Sequence, residues 1–113
     1  MTQITSHILD TSRGSPAQNV LITLLQQHED DWIMLGSAAT DSDGRVGDFG
    51  AQVVQLPAGI YKLSFYLSEY YSALQQKCFY PYVDVAFEID GDGQHYHVPL
   101  LLNPFGYTTY RGS

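Results

Sequence analysis

The feature that most restricts the fold of this chain is a series of short segments in which apolar and polar residues alternate. A two-residue period places alternate side chains on opposite faces of a strand, so it predicts β-strands with one buried face. The alternation is clearest at 61–67, 82–89 and 94–102. Turn-forming residues separate such segments at intervals of about ten residues, which is typical of an all-β sandwich.

The sequence as a whole predicts a mainly β fold, an antiparallel β-sandwich of seven to eight short strands with one short helix. The 113 residues fit a single domain, 1–113. The helix is expected at 68–77, with Ser68 as its N-cap. The inward face of the first strand stays open, because both of its faces carry apolar residues. The predicted strands are 4–10, 20–27, 32–39, 53–56, 61–67, 82–89, 94–102 and 107–111.

The charge of the chain excludes two classes of partner. The formal net charge is −7, with only five Lys and Arg residues, so phosphate backbones and anionic lipid surfaces would be repelled. No apolar run approaches a membrane span, and the first residues lack the pattern of a secretory signal. We therefore expect a soluble, cytoplasmic protein without nucleic-acid or membrane partners, unless a leader has been removed.

The most informative polar pair is His95-x-His97, in the predicted strand 94–102. The strand period puts Tyr96, Val98, Leu100 and Leu102 on one face, and His95, His97, Pro99 and Leu101 on the other. Two imidazoles at this spacing can share a substrate, a metal ion or a proton. An isolated pair is equally compatible with ordinary half-exposed histidines, so both interpretations stay open at this point.

The other candidate groups narrow the chemistry by elimination. Residues 41–44 lack the later oxygen ligands of a calcium loop, Ser113 has no nucleophile elbow, and the single Cys78 fits a buried or half-buried thiol. His28 sits in a charged turn and is expected to face solvent. The remaining groups are three histidines, Arg45 and the carboxylate or hydroxyl of the terminal Ser113. They suit proton transfer and oxyanion stabilisation without a covalent intermediate.

Several motifs together resemble a known family, the 5-hydroxyisourate hydrolases, also called transthyretin-like or transthyretin-related proteins. Residues 110–113 read Tyr-Arg-Gly-Ser, like the family's C-terminal signature, and 95–102 with 104–107 match the block before it. Residues 6–11, Ser-His-Ile-Leu-Asp-Thr, resemble the N-terminal motif, and 40–45 match the Asp-Gly-Arg turn. The resemblance spans the whole chain. Two mild departures are Tyr82, where an acidic residue is expected, and Asn103, where Ser is common.

The resemblance implies a set of site residues and an assembly. The active site would be lined by His7, Arg45, His97 and Ser113, with His95 beside them and Tyr110 and Arg111 shaping the wall. The family fold is a transthyretin-like sandwich assembled as a homotetramer, a dimer of dimers, with active sites in the channel between dimers. These statements come from the resemblance alone.

The implied reaction is hydrolysis of the lactam bond of 5-hydroxyisourate, giving 2-oxo-4-hydroxy-4-carboxy-5-ureidoimidazoline in urate breakdown. As a hypothesis, His97, helped by His7, takes a proton from water, Arg45 steadies the oxyanion, and Ser113 orients substrate or water. No cofactor is expected. The alternatives are a small-molecule carrier, since transthyretin shares the fold, and a zinc site built from His7, His95 and His97. The polar set favours the hydrolase.

Overall fold

The structure, a computed structural model, describes residues 3–50 and 55–113, whose strands form two sheets. In the first sheet the order is β2-β1-β8-β9, and β5 also pairs with β1; in the second it is β4-β3-β6-β7. One short helix, α1 (Ser68–Ala73), follows β6. The strands are β1 (Ile4–Asp10), β2 (Ser15–Pro16), β3 (Leu21–His28), β4 (Asp31–Ala39), β5 (Arg45–Val46), β6 (Gly59–Tyr66), β7 (Tyr82–Ile89), β8 (Tyr96–Asn103) and β9 (Gly106–Thr109). The expected mainly β sandwich with one short helix is confirmed.

The core lies between the two sheets and is built from the apolar set of each strand. Ile8 and Leu100 of the first sheet and Ile22 and Phe65 of the second are completely buried. The predicted inward face of β8 is confirmed, since each of its four side chains is at most 6% exposed. Burying these side chains stabilises the fold by about 1.5–3 kcal/mol each. The four are Tyr96, Val98, Leu100 and Leu102.

The structure also decides the inward face of β1, which the sequence left open. Its even-numbered residues are buried and its odd-numbered ones are half-buried. The set facing the core ends in a carboxylate, Asp10, which accepts hydrogen bonds from the hydroxyls of Tyr70 at 2.7 Å and Ser12 at 2.6 Å. A buried carboxylate needs such partners. The opposite face of β1 therefore carries Thr5 and His7.

Among the described residues, every pairing of named strands is antiparallel except that of β1 with β8, which is parallel. The sequence analysis expected an antiparallel sandwich and did not foresee this pair. Parallel strands need a long connection, and here most of the chain lies between the two. The pairing joins residues about 90 positions apart, such as Thr5 and His97.

Several element boundaries differ from the predictions. β2 and β5 have two residues each, too few for an alternation to be visible, and with them the described part of the chain has nine strands. The last strand is β9 rather than 107–111. Of the weak strand predicted at 53–56, residues 53 and 54 lie outside the described residues, and 55 and 56 belong to no strand. No helix in the described part of the chain is long and apolar enough to cross a membrane.

The helix begins where predicted but is shorter, and its expected cap is wrong. Leu67 occupies the N-cap position without a side-chain hydrogen bond, and Ser68 is the first helical residue. The helix ends at Ala73 because Gln75 takes a left-handed conformation, with φ of 55°. Its N–H bonds the carbonyl of Ser72, as in other left-handed helix ends.

Candidate active site

Strand register brings the histidine pair and Arg45 to one region of the first sheet. In the parallel pair β1 and β8, Thr5 lies opposite His97, and in the antiparallel pair β1 and β5, His7 lies opposite Arg45. Residues 92 positions apart along the chain thus become neighbours. β1, at the centre of this arrangement, carries Thr5 and His7 on the face away from the core.

Arg45 is positioned by a tightly hydrogen-bonded turn, 41–45. The Asp41 carboxylate accepts hydrogen bonds from the backbone N–H groups of Asp43 and Arg45, each at 2.9 Å. These bonds, that of Arg45 foremost, lower the pKa of Asp41, and the charges of Arg45 and His7 add to the effect. The Asp-Gly-Arg sequence therefore forms a turn that holds Arg45 at its end.

Gly44 fastens this turn to β1. Its carbonyl accepts a hydrogen bond of 2.8 Å from the backbone N–H of Ile8. Its φ is +73°, and a Cβ at this position would lie 2.5 Å from the backbone oxygen of Ile8. Only glycine meets both the conformation and the space. The turn therefore cannot move away from β1 without breaking backbone contacts.

His97 is a half-buried imidazole with a defined hydrogen-bond partner. Its Nδ1 lies 2.8 Å from the hydroxyl of Thr5, which is also 2.9 Å from Nε2 of His95. Burial lowers the pKa of His97, and the nearby charges of Arg45, His7 and His95 lower it further. His97 is therefore neutral, and able to accept a proton, at a lower pH than an ordinary histidine.

The C-terminal residues fold back onto β8 beside His97. The N–H of Gly112 donates a hydrogen bond of 2.8 Å to the carbonyl of His97, forming an antiparallel bridge. A Cβ on Gly112 would lie 2.5 Å from Cδ2 of His97, so the close approach requires glycine. This bridge brings Ser113 to the same region as the histidines.

These elements enclose a cleft of about 240 Å³ at the surface of the first sheet. Four of the predicted site residues meet there. His7 is not on its wall, but its charge acts on both His97 and Asp41, so it belongs to the same electrostatic cluster. The lining residues are Thr5, Ser6, Arg45, Val46, Gly47, His95, His97 and Ser113.

Tyr110 and Arg111 do not line this cleft. Both line a second cavity, of about 350 Å³, with residues of β7 and with Tyr96, His97 and Val98 of β8. The guanidinium of Arg111 lies 4.6 Å from the centre of the Tyr96 ring and donates a hydrogen bond of 2.5 Å to Gln94. Their predicted part in the wall of the active site stays a prediction.

Sequence reasoning missed Thr5. Nothing in its local sequence marks it, because its importance depends on the parallel register of β1 and β8. The available signal was its position two residues before His7, on the same face of a predicted strand. His28, by contrast, is exposed as predicted, and Cys78 is the expected half-buried thiol.

The zinc alternative required three converging ligands. Within residues 3–50 and 55–113, no three His, Cys, Asp or Glu side chains are grouped so that they could hold a metal ion. His95 and His97 are instead joined by the hydroxyl of Thr5, which lies within hydrogen-bond distance of both rings. The arrangement favours proton transfer between water, imidazole and substrate.

Comparison with known proteins agrees with this geometry. A family model described as HIUase/Transthyretin family matches residues 4–112. A probable 5-hydroxyisourate hydrolase of Caenorhabditis elegans is 47% identical over 97% of this chain and 81% of its own length. The 5-hydroxyisourate hydrolase of Mus musculus is 43% identical, over 97% of this chain and 94% of its own.

Solved structures show the same fold. The 5-hydroxyisourate hydrolase of Klebsiella pneumoniae is 32% identical, with a TM-score of 0.81 over 99% of this chain and all of the other. Sea bream transthyretin in complex with thyroxine is 30% identical, with a TM-score of 0.90 over 98% of this chain and 95% of the other. From the extent of these matches, and from the family model above all, the chain belongs to the HIUase/Transthyretin family.

Proposed function

We propose that this protein is a 5-hydroxyisourate hydrolase, which opens the six-membered ring by adding water to its lactam carbonyl. The observation that carries the proposal is the cleft in which a half-buried imidazole, His97, meets Arg45, His95 and Ser113. Relatives with this activity in their names match nearly the whole chain. The product is 2-oxo-4-hydroxy-4-carboxy-5-ureidoimidazoline, an intermediate of urate breakdown.

In this mechanism His97 is the general base. Its lowered pKa keeps the ring neutral at neutral pH, so that it can take a proton from the attacking water. It then returns that proton to the nitrogen that leaves the carbonyl carbon, and no covalent enzyme intermediate is formed. His7 assists through its charge, which helps to set the pKa of His97.

Arg45 stabilises the charge that develops on the carbonyl oxygen. Its side chain is exposed at the cleft, and its backbone is held at the end of turn 41–45. A cation placed beside the developing oxyanion stabilises the transition state. Ser113, on the same wall, orients the substrate or the water. His95 contacts the substrate beside His97. Tyr110 and Arg111, which line the neighbouring cavity together with His97, extend the wall beyond the cleft.

The same fold also carries hormones, and the cleft distinguishes the two functions. A carrier of an apolar ligand has no need of three imidazoles and an arginine gathered at one site. The named hydrolases among the relatives support the enzyme over the carrier. Fold similarity to transthyretin alone does not decide between them.

The active protein in this proposal is a homotetramer, a dimer of dimers, acting in the cytoplasm. Half-buried Leu101 lies on the same face of β8 as His97 and gains cover if a partner subunit packs there. Exposed Tyr107 on the edge strand β9 offers a further apolar contact. Sedimentation equilibrium tests this assembly, and a monomer at micromolar concentration would contradict it.

The test of the activity is to generate 5-hydroxyisourate from urate and to follow the decay of its ultraviolet absorbance. The protein should accelerate the decay above the spontaneous rate. His97→Ala and Arg45→Ala should each lower turnover by roughly a hundredfold or more, whereas Arg13→Ala, which removes an arginine that lines a different cavity, should not. No acceleration by the unaltered protein, or near-normal rates in both folded cleft variants, would refute the proposal.

A further inference from the structure

The hydroxyl of Thr5 bridges the two histidines of the cleft. Its oxygen lies 2.8 Å from Nδ1 of His97 and 2.9 Å from Nε2 of His95. Both are hydrogen-bond distances. The register of β1 and β8, in which Thr5 is the Cα partner of His97, places the two residues side by side. The hydroxyl reaches both rings on the face of β1 that points away from the core.

A hydroxyl has a single proton, and this limits what the bridge can be. If the Thr5 hydroxyl bonds both rings, it donates to one nitrogen and accepts from the other. One facing nitrogen must then carry a hydrogen while the other must not. Two arrangements satisfy this rule, and they give His97 opposite tautomers.

In the first arrangement His97 donates from Nδ1 to Thr5, and Thr5 donates to Nε2 of His95. The Nε2 of His97 then has a free lone pair and can accept a proton from water. In the second arrangement Thr5 donates to Nδ1 of His97, whose Nε2 carries the hydrogen. His97 is then unable to act as a base through its only free ring nitrogen.

We propose that Thr5 is a positioning residue that holds His97 in the Nδ1–H tautomer, with His95 as the acceptor that fixes the direction of the Thr5 hydroxyl. This inference rests on the proposed function, in which His97 is the general base. It gives His95 a role beyond substrate contact, because the Nε2 of His95 accepts the hydrogen bond that sets the direction of the Thr5 hydroxyl.

The bridge also supports the proton transfer itself. When water gives its proton to Nε2, the ring of His97 becomes an imidazolium, and its Nδ1–H still donates to the oxygen of Thr5. Hydrogen bonds from a charged donor are stronger than neutral ones. The charges of Arg45 and His7 disfavour the charged ring, and the hydrogen bond to Thr5 offsets part of this effect. Thr5 thus stabilises the charge that forms during the reaction.

The test compares Thr5→Val, which keeps the shape and removes the hydroxyl, with Thr5→Ser, which keeps the hydroxyl. Thr5→Val should lower kcat about tenfold to a hundredfold with little change in KM, as when other hydrogen-bond partners of a functional imidazole are lost. Thr5→Ser should retain most of the kcat of the unaltered protein. Thr11→Val is the matched control, because it removes a threonine hydroxyl that donates to the carbonyl of Leu102 in β8 from the residue just after β1.

Nitrogen NMR of the unliganded protein gives a readout that a purely structural role would not move. The ¹⁵N shifts should show His97 protonated at Nδ1 in the unaltered protein and in Thr5→Ser, and shifted toward Nε2–H in Thr5→Val. An Nε2–H tautomer in the unaltered protein, an unimpaired Thr5→Val, or equal losses in both Thr5 variants would overturn the inference. If the unaltered protein had no hydrolase activity, the proposed function would fail, and the NMR result would still decide the tautomer.

Discussion

Turn 41–45 and the C-terminal residues 110–113 both bring polar groups to the same cleft, but the two segments are held very differently. The turn has two backbone bonds to the Asp41 carboxylate, a bond to β1, and a glycine in a conformation closed to other residues. The tail is held to β8 by the single bridge between Gly112 and His97, with Arg111 anchored to its side. The turn is therefore an integral part of the first sheet, whereas the tail is attached to the sheet by few contacts.

Because the two segments are held differently, mutations in them should affect stability and activity differently. A change in the turn disturbs β1 and Arg45 together, so both the free energy of unfolding and the turnover should fall. A change in the tail disturbs only the surroundings of His97 and Ser113, so turnover should fall alone. Glycine substitutions test this directly, since each segment contains one glycine against which another atom is closely packed.

The largest effect is expected from Gly44→Ala. The alanine is forced into φ of +73° and its Cβ meets the Ile8 oxygen at 2.5 Å, so the free energy of unfolding should fall by about 2–4 kcal/mol. Turnover should fall as well, because Arg45 moves. Gly14→Ala is the control: its φ is +64° but no atom lies within 4 Å of the added Cβ, so it should cost about 1–2 kcal/mol and leave turnover intact.

Urea unfolding and the 5-hydroxyisourate assay measure the two effects of Gly44→Ala on the same preparations. Equal losses of stability in the Gly44 and Gly14 variants would show that the contact with Ile8 contributes nothing. A fully active Gly44→Ala protein would show that Arg45 does not depend on the turn.

A smaller and more selective effect is expected from Gly112→Ala. Its Cβ would lie 2.5 Å from Cδ2 of His97, so either the imidazole or the tail must shift. Turnover should fall about tenfold to a hundredfold, because a displacement of about 1 Å in a reacting group has effects of this size. The melting temperature should change little, since no core side chain is involved.

Gly106→Ala is the matched control for Gly112→Ala, in the same C-terminal part of the chain. Its Cβ would meet only the Asn103 side chain, at 3.6 Å, which is ordinary contact. The two variants should melt alike and differ in rate. If Gly112→Ala retained its rate, or if it unfolded as readily as Gly44→Ala, the distinction between turn and tail would be wrong.

The same contrast explains how much the sequence could predict. Alternation identified β8 and its buried face, and the Asp-Gly-Arg turn could be placed from local signals, because both depend on neighbours along the chain. The parallel pairing of β1 with β8 joins residues about 90 positions apart, and no local pattern encodes it. The sequence therefore predicted His97 as a site residue but could not predict its contact with Thr5.

Boundary errors had a similar physical origin. Two-residue strands such as β2 and β5 have no period to detect, yet β5 carries Arg45. The helix ends early because Gln75 has a left-handed backbone conformation. Glutamine is not a residue type from which this conformation can be predicted. The resemblance of residues 110–113 to a family signature predicted that the tail is functional. It did not predict that Arg111 would lie over Tyr96, in a second cavity that shares only His97 with the cleft.

The smallest expected effect concerns the pH dependence of His97. The base must be neutral, so kcat/KM should fall as the pH drops through its pKa, which burial and the charges of Arg45, His7 and His95 lower. The acid limb should thus lie below the ordinary histidine pKa of about 6.5.

Arg45→Ala removes one positive charge that opposes the imidazolium, so the pKa of His97 should rise and the limb should move to higher pH. Arg13→Ala should leave it in place. The Hε1 NMR shift of His97 follows the same titration independently of rate. An unchanged or lowered pKa of His97 in Arg45→Ala would mean that the positive charge of Arg45 does not act on His97.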